Sequence, residues 1–250
     1  MMNAGKQSSG QMQSIEVSLL LPAYNEEKRI AGTIAAAVGY FEKASLPFEI
    51  LVIADGTDRT RDIVSELASK DPRVRAMGGN ERRGKGYALR LGVQEARGRY
   101  VGFVDADNKT PIEQFDMVLP HLRDGAEVVM GSRRYPGAKI EQKQSWVRRV
   151  GSVGFSIFMH AIVGLWDIRD TQCGFKFYPL PVARKLFSLS FIDGYIYDVE
   201  ILFLARKLGY RIVQIPIRWR DDGDSRLALV TQNLQNFLDV VRIRMHRYPR

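Results

Sequence analysis

The sequence is poor in cysteine: Cys173 is the single one among 250 residues. A disulfide within the chain is therefore impossible, which favours a reducing compartment such as the cytoplasm. No histidine is evidently paired with Cys173. We therefore interpret this thiol as a packing residue rather than a nucleophile.

The sequence also lacks a long apolar run. The nearest approach, residues 150–166, is shorter than the ~20 apolar residues of a membrane-spanning helix, and glycines and His160 interrupt it. Residues 1–14 are small and polar, without the apolar core of a signal peptide. We expect no spanning helix, and a disordered tail over residues 1–14.

Two phosphate-binding signatures are missing: the P-loop spacing and Gly-x-Gly-x-x-Gly. Lys and Arg total 37 against 28 for Asp and Glu, which gives a formal net charge of +9. Such a charge suits an anionic partner, such as a phosphorylated substrate, acidic lipid or nucleic acid. Because the basic residues form no long run, nucleic acid is the least favoured of these.

Short apolar runs typical of buried strands alternate with amphipathic helical segments from residue 15 to residue 131. This alternation predicts an α/β fold with a Rossmann-like, mostly parallel sheet and helices on both faces. After residue 131 the pattern becomes a basic loop followed by a C-terminal helical extension with two short strands. Its main segments are a helix over 146–166, a strand over 175–178, a helix over 198–208, a strand over 211–219 and a last helix over 230–246.

Three of the predicted strands end in polar residues. They are followed by Tyr24-Asn25-Glu26, by Asp55-Gly56-Thr57-Asp58 and by Asp105-Ala106-Asp107. Ligands of parallel sheets bind beyond the carboxyl ends of the strands. We therefore expect these polar groups to meet on one edge of the sheet.

Asp105 and Asp107 carry the strongest local signal, since side chains two residues apart in an extended segment face the same side. Two carboxylates on one side repel each other unless a cation lies between them. Carboxylate oxygens suit Mg²⁺ or Mn²⁺, whose coordination substrate phosphates complete. The pair is therefore a candidate metal site, and an exposed acidic turn is the alternative.

A glycine-rich segment, residues 82–86 (RRGKG), opens a predicted helix. Backbone N–H groups at a helix start attract phosphate, and Arg83 and Lys85 add positive charge. The alternative is a loop with solvated arginines. In the preceding polar turn, Asp55 could accept a hydrogen bond from a base, whereas Asp58 or Thr57 could cap the next helix.

Together these motifs resemble a known family. The segments 22–26, 54–60, 83–86, 105–107 and 131–133 occur in the order seen in family 2 glycosyltransferases. The later segments 170–176, 197–200 and Trp219 are similar to its polyprenyl-phosphate branch, the dolichyl-phosphate β-glucosyltransferases more than the dolichyl-phosphate mannose synthases. The resemblance covers residues 17–244.

The resemblance implies a GT-A fold, with residues 15–250 as a single domain. Residues 15–131 would form the nucleotide-sugar-binding half and residues 132–250 the acceptor-side half. It also implies inverting, metal-dependent transfer of a hexose to a polyprenyl or dolichyl phosphate, with Mg²⁺ or Mn²⁺ as cofactor. UDP-glucose is the favoured donor and GDP-mannose the next.

The resemblance assigns roles to residues by position. Asp105 and Asp107 would bind the metal, and Asp55 would face the base. Arg133 would approach the donor diphosphate or the acceptor phosphate. The other expected donor-binding residues are Pro22, Ala23, Tyr24, Glu26, Arg83, Lys85 and Lys109.

The sequence departs from the family pattern at two donor-side positions. Ala54 stands where the family usually has an aspartate before Asp55, and this turn is one residue shorter, which makes base recognition by Asp55 a weaker expectation. Lys109 stands where mannose synthases can have a metal-binding glutamine. A lysine cannot ligate a metal, so Lys109 is a candidate diphosphate contact and favours the glucosyltransferases.

The chemical class of the acceptor determines which residues the reaction needs. A phosphate has a second pKa near ~6 and is largely anionic at pH 7, so it needs positioning, for which Arg133, Arg149 and Arg226 are candidates. A soluble or saccharide hydroxyl acceptor would instead need a base, with Asp198 or Glu200 as the choice. For Asp198 a structural ion pair is the equal alternative.

The predicted helix over residues 146–166 is apolar and begins with Arg148 and Arg149. Such a helix can lie in the bilayer interface, and basic side chains gain about 1 kcal/mol each near an anionic leaflet. Peripheral contact with the cytoplasmic membrane face would suit a lipid-linked acceptor. The alternative is burial of this helix against the sheet.

Other classes of protein stay open on the sequence alone. A nucleotidyltransferase shares the α/β fold and a metal-bound aspartate, but it normally has a glycine-rich loop where this chain has residues 22–26. A non-catalytic protein that binds nucleotide or lipid phosphate is the second alternative. Nucleic-acid binding depends on net charge alone and ranks last.

Overall fold

A computed structural model of the protein describes residues 14–141, 146–220 and 231–249. Apart from Ser14, the expected N-terminal tail lies outside these ranges. The strands are β1 (Val17–Tyr24), β2 (Phe48–Asp55), β3 (Val74–Met77), β4 (Tyr100–Val104), β5 (Val128–Ser132), β6 (Lys139–Ile140), β7 (Phe175–Pro179), β8 (Ile212–Pro216) and β9 (Arg218–Trp219). The α-helices are α1 (Ile30–Lys43), α2 (Thr60–Lys70), α3 (Lys85–Glu95), α4 (Phe115–Arg123), α5 (Trp146–Val163), α6 (Leu180–Leu189), α7 (Tyr197–Lys207) and α8 (Thr231–Met245).

Seven of the described strands form one sheet in the order β3-β2-β1-β4-β7-β5-β8. Neighbouring strands are parallel except at β7, which is antiparallel to both β4 and β5. The strands β6 and β9 form a separate parallel pair. The mostly parallel sheet confirms the predicted fold class. Strands β7 and β8, from beyond residue 131, complete a sheet that the earlier residues begin.

Apolar side chains cover both faces of this sheet. In β1, Val17, Leu19 and Leu21 pack on the side of α1 and α4, whereas Leu20 packs on the side of α3. Successive side chains of a strand point to opposite faces, so this alternation of buried residues requires helices on both sides. The C-terminal helices α5 to α8 contribute to the second layer.

The carboxyl ends of β1, β2 and β4 lie on one edge, because these strands are parallel neighbours. The register places Tyr24 opposite Asp55. Asp105 comes directly after β4. The polar residues that follow the three strands therefore share this edge, as the sequence predicted.

The long helix predicted over residues 146–166 is α5, and it packs against α8. The rings of Phe155 and Phe158 lie 5.2 and 4.7 Å from the ring of Phe237. Met159 is buried, whereas Ile157 is exposed. One side of α5 thus belongs to the core and another side faces outward. Within the described ranges we find no helix with the length and apolar character to cross a bilayer.

Helix α6 is absent from the sequence-based expectations. Its first turn contains Pro181, and Pro179 directly precedes the helix. Proline is tolerated in a first turn, where its missing N–H has no helical partner. Buried Ala183, Leu186 and Phe187 then hold α6 against the core.

Candidate active site

A cavity of about 440 Å³ opens at the carboxyl edge of the sheet, beside the ends of β1 and β2. Small-molecule sites typically have volumes of ~300–1,000 Å³. The expected donor-binding residues that line the cavity are Pro22, Ala23, Tyr24, Glu26, Asp55, Arg83 and Lys85. The structure thus brings most of the expected donor-binding residues together around one cavity.

Side-chain hydrogen bonds tie together the loops that follow β1 and β2. Asn25 has a positive φ of 55°, and its Oδ1 accepts a hydrogen bond from Thr57 N at 3.1 Å. Glu26 N donates to Thr60 Oγ1 at 2.8 Å. Asp58 Oδ1 accepts from Thr60 N, at the first residue of α2, at 3.0 Å, so this carboxylate helps to fix the start of α2.

Asp55 is buried at the end of β2. Its carboxylate accepts hydrogen bonds from Gly79 N and Arg83 N, both at 3.2 Å, and from Arg83 Nη2 at 3.0 Å. The hydrogen bond from the guanidinium to Asp55 raises the pKa of Arg83. Asp55 therefore fixes Arg83 along the cavity wall. The expected contact of Asp55 with the base of the nucleotide stays a prediction.

The glycines that precede and begin α3 approach the protein's own backbone. An added Cβ at Gly84 would overlap the carbonyl group of Asp193, and one at Gly86 would overlap the carbonyl oxygen of Ile192. Gly86 N already donates to Asp193 O at 2.8 Å. This N–H already has a protein partner, and α3 needs both glycines to pack against the loop before α7. Phosphate binding at the start of α3 stays a prediction.

Lys85 links α3 with the predicted metal site. Its Nζ donates to Asp105 Oδ1 at 2.5 Å. Burial disfavours the charged ammonium, but the negative charges of Asp105 and Asp198 and the hydrogen bond to Asp105 together raise the pKa of Lys85. A permanently charged lysine therefore stands where the donor cavity meets the Asp105 turn.

The turn that carries Asp105 and Asp107 is fixed by α1 and by its own backbone. Thr33 Oγ1 donates to Ala106 O at 2.7 Å, and both residues are buried. Lys109 N donates to Asp107 Oδ1 at 3.2 Å. These bonds hold the turn independently of any ligand.

The charges of Asp105 and Asp107 indicate whether a divalent cation would fit between them. Burial and the nearby charge of Asp105 raise the pKa of Asp107 although Lys109 and Arg29 oppose this rise, so the two carboxylates still repel each other. Among the described residues, no larger cluster of histidine, cysteine and carboxylate ligands exists. Two carboxylates fit a Mg²⁺- or Mn²⁺-type site whose other ligands are water and substrate phosphate.

Gly174 is a site residue whose role the sequence did not reveal. An added Cβ there would overlap the carboxylate of Asp105. The contact arises because β7 pairs antiparallel with β4, which puts Phe175 opposite Val104. Gly174 therefore gives the Asp105 carboxylate its space. Its position in the 170–176 motif was the available signal, but only the pairing of β4 with β7 supplies the partner.

We expect Gly174→Ala to displace the Asp105 carboxylate and weaken metal-dependent donor binding. The Asp105 side chain is 44% exposed, so it can turn away without disrupting the core. A misplacement of about 1 Å at a reaction centre can cost ~10²-fold in rate. Steady-state kinetics should show kcat/KM for the donor about 10- to 100-fold lower, with more metal needed for half-maximal activity.

Gly39→Ala is the matched control for this substitution. An added Cβ at Gly39 meets nothing within 4 Å, and alanine is the better helix former in α1. Its kcat/KM should equal that of the wild type. The same result for Gly174→Ala would contradict the close approach of Gly174 to Asp105.

Arg133, the expected phosphate contact, forms a two-pronged ion pair with Asp170. Arg133 Nε and Nη2 each donate to one Asp170 oxygen at 2.8 Å. Burial opposes the charged form, but the hydrogen bonds to Asp170 and its negative charge together raise the pKa of Arg133. Trp219 lies beside this pair, 5.4 Å from the Arg133 guanidinium and 5.9 Å from Lys109 Nζ. Since Lys109 Nζ is 3.7 Å from Asp107 Oδ2, this basic cluster borders the carboxylates.

Asp198, the candidate base for a hydroxyl acceptor, belongs to a buried ion pair. Lys176 Nζ donates to Asp198 Oδ1 at 2.7 Å and also to the carbonyl oxygens of Thr171 and Cys173. Neither charged side chain has more than 5% of its surface exposed. The structure thus favours the ion-pair alternative for Asp198.

Glu200, the other candidate base, holds protein groups in place. Its carboxylate accepts hydrogen bonds from Phe191 N, from Ile192 N and from Tyr248 Oη. Glu200 is fully buried. It therefore anchors the loop before α7 and the segment that follows α8.

Two expected acceptor-phosphate contacts, Arg149 and Arg226, are not placed at the site. Arg149 belongs to α5, and Arg226 lies outside the described residues, so their acceptor roles stay predictions.

Burial raises the pKa of Cys173 to about 12. A nucleophilic thiol needs a lowered pKa, so the interpretation of Cys173 as a packing residue agrees with its surroundings.

The sequence between residues 18 and 187 matches the family model described as Glycosyl transferase family 2. This match covers more than half of the chain. The protein therefore belongs to glycosyltransferase family 2 and is a glycosyltransferase.

Particular relatives narrow the similarity further. The chain is 33% identical over 244 residues to the dolichyl-phosphate beta-glucosyltransferase of Dictyostelium discoideum, covering 92% of this chain and 74% of the relative. It is 32% identical to the enzyme of that name from Drosophila melanogaster, with 92% and 74% covered. For the Saccharomyces cerevisiae enzyme of that name, identity is 30% and coverage is 93% and 75%.

Solved structures share the fold at lower identity. Mannosyl-3-phosphoglycerate synthase from Rubrobacter xylanophilus has a TM-score of 0.66 and 22% identity, covering 92% of this chain and 72% of that one. Glucosyl-3-phosphoglycerate synthase from Mycobacterium tuberculosis, solved with Mn²⁺, UDP and phosphoglyceric acid, has a TM-score of 0.63 and 21% identity, with 91% and 76% covered. These likenesses confirm the GT-A type of architecture.

Proposed function

We propose that the protein transfers glucose from UDP-glucose, with inversion, to a polyprenyl phosphate of the dolichyl type. GDP-mannose is the second donor to consider, and Mg²⁺ or Mn²⁺ is the expected cofactor. Relatives of about one-third identity are named for glucosyl transfer to dolichyl phosphate. Several structural neighbours were solved with Mn²⁺, among them one with UDP and one with GDP-mannose.

The acceptor proposal depends on one observation: other protein groups already engage both candidate catalytic bases. Asp198 is paired with buried Lys176, and Glu200 is occupied by backbone N–H groups and Tyr248. A hydroxyl acceptor needs a base to take its proton, whereas a phosphate is already anionic at pH 7. A phosphate acceptor therefore suits this site better.

On the donor side, the chain's own residues bind and orient the leaving group. The walls formed by residues 22–26, Asp55 and Arg83 would hold the nucleoside in the cavity. Lys85 and Lys109 place positive charge beside Asp105 and Asp107, where the diphosphate would lie. A divalent ion bound by these carboxylates would supply further charge neutralisation for the departing diphosphate.

Departure of the diphosphate leaves positive character on the sugar carbon, which an acceptor phosphate oxygen can attack from the opposite face. That geometry inverts the configuration in one displacement. Arg133 is held in a fixed orientation by Asp170, so it is preorganised to bind phosphate without losing side-chain freedom. Arg149 and Arg226 are further candidates for the same acceptor group.

We also propose that the protein contacts a membrane surface through α5 and α8. These helices pack together, and Ile157, Leu234 and Leu238 are exposed on them. Trp166, just beyond α5, is also exposed. Apolar side chains on surface helices can enter the headgroup region. This surface would bring the site close to a lipid-linked acceptor.

The test measures nucleoside diphosphate release from UDP-glucose and from GDP-mannose, with Mg²⁺ or Mn²⁺, in the presence and absence of a polyprenyl phosphate. We expect release from UDP-glucose that requires both metal and lipid phosphate. Turnover with a soluble alcohol and no response to lipid would overturn the acceptor proposal. Nucleotide binding without turnover of either donor would overturn the proposed reaction as a whole.

A further inference from the structure

Helix α8 has three different faces. Leu234 and Leu238, one turn apart, are exposed on the outer face. Val240 and Ile243 are buried in the core. The third face carries polar residues, and it is the one that the donor proposal does not explain.

The polar face of α8 forms part of the cavity. Gln235, Asn236 and Asp239 line it together with residues at the ends of β1 and β2. Gly194 and Tyr195, from the loop before α7, complete this side. The cavity therefore has a wall from the C-terminal part of the chain, which the sequence analysis did not anticipate.

Hydrogen bonds within α8 order this wall. Asp239 is buried, and its Oδ1 accepts hydrogen bonds from Gln235 Nε2 at 2.8 Å and from Arg242 Nη1 at 3.1 Å. The first of these bonds orients the Gln235 carboxamide. Asn236, the next residue, is half-buried. Asparagine is a poor helix former in a helix interior, so helix stability does not explain its presence here.

The wall is also anchored to the rest of the molecule. The Phe237 ring packs on Phe155 and Phe158 of α5. Beyond the helix, Tyr248 Oη donates to the buried carboxylate of Glu200 at 3.0 Å. The middle of α8 and the segment after it are thus fixed, so the polar residues beside Phe237 can hold a ligand in a defined geometry.

We propose that Gln235 and Asn236 bind the nucleoside part of the donor. A carboxamide offers both N–H donors and a carbonyl acceptor, which complement the polar edge of a base and the ribose hydroxyls. Pro22, Tyr24 and Asp55, to which the nucleoside is already assigned, line the same cavity. The inference rests on the proposed function, because it takes a nucleotide sugar as the ligand of this cavity.

The experiment measures the dissociation constants of UDP and GDP by calorimetry with Mn²⁺ and without lipid. The proteins compared are the wild type, Gln235→Ala, Asn236→Ala and the double variant. Loss of one hydrogen bond should weaken nucleotide binding about fivefold, and loss of both about 10-fold or more. Unequal losses for UDP and GDP would assign the contact to the base, and equal losses would assign it to the ribose; both support the inference.

Met245→Ala is the matched control, since this α8 residue is 76% exposed and does not line the cavity. Its nucleotide affinity should equal that of the wild type. The inference is overturned if the double variant melts at the wild-type temperature and binds both nucleotides within twofold of the wild type; the proposed function would then stand. A wild-type protein that binds neither nucleotide would overturn both.

Discussion

Asp107→Asn is expected to lower turnover about 10²- to 10³-fold while leaving the fold intact. The substitution preserves the shape of the side chain but removes the charge that would hold a divalent cation beside the departing diphosphate. Metal-ion stabilisation of transition-state charge is worth several kcal/mol, and each ~1.4 kcal/mol corresponds to tenfold in rate. The measurement is nucleoside diphosphate release at saturating donor across a metal titration.

The same titration separates metal binding from a general loss of activity. Wild-type turnover should rise with Mg²⁺ or Mn²⁺, whereas the residual turnover of Asp107→Asn should hardly respond to either ion. Asp124→Asn is a suitable control, because the Asp124 carboxylate forms an exposed ion pair with Arg211, and such pairs contribute about 0–1 kcal/mol. Turnover of Asp107→Asn within tenfold of the wild type would contradict the placement of Asp107 at the reaction centre.

The donor edge of the sheet was predictable because its signals are local. The apolar strands β1, β2 and β4 each stop at polar residues, and parallel strands bring their carboxyl ends to one edge. The resemblance to a family then supplied roles for residues such as Tyr24 and Asp107. Seven of the expected donor-binding residues line one cavity as a result.

The antiparallel strand β7 shows where local reasoning stops. Its apolar residues indicated a strand, but nothing in them reveals that it enters between β4 and β5. This position depends on pairing between segments far apart in the chain. The contact of Gly174 with Asp105 is a direct consequence, so it was equally out of reach from sequence patterns.

The glycines around Lys85 illustrate a second limit. Gly84 and Gly86 permit a close approach, as the sequence suggested, but the group that approaches is the backbone at Ile192 and Asp193. A glycine pattern indicates that another group approaches the backbone closely, but it does not indicate which group. The polar wall of α8 was missed for a related reason, since its partners lie at the opposite end of the chain.

The second large effect is expected from the buried pair of Lys176 and Asp198. Asp198→Asn would leave the fully buried Lys176 ammonium without its counter-charge, which typically costs about 3–5 kcal/mol. Since ~1 kcal/mol shifts the melting temperature of a protein of this size by about 2–4 °C, thermal unfolding should move down by about 6–20 °C. Turnover per folded molecule with a phosphate acceptor should fall less than tenfold, because no proton has to be removed.

A double variant, Lys176→Met with Asp198→Leu, distinguishes an ion pair from a catalytic base. Burial raises the pKa of Asp198 in spite of Lys176 and Lys85 nearby, so keeping this carboxylate charged carries a desolvation cost. Replacement of a buried pair by apolar residues of similar volume is often neutral or stabilising, and the double variant should therefore regain most of the lost stability. An unchanged melting temperature for Asp198→Asn together with a 10²- to 10⁴-fold loss of turnover, the range for a missing general base, would instead make Asp198 the base and bring back a hydroxyl acceptor.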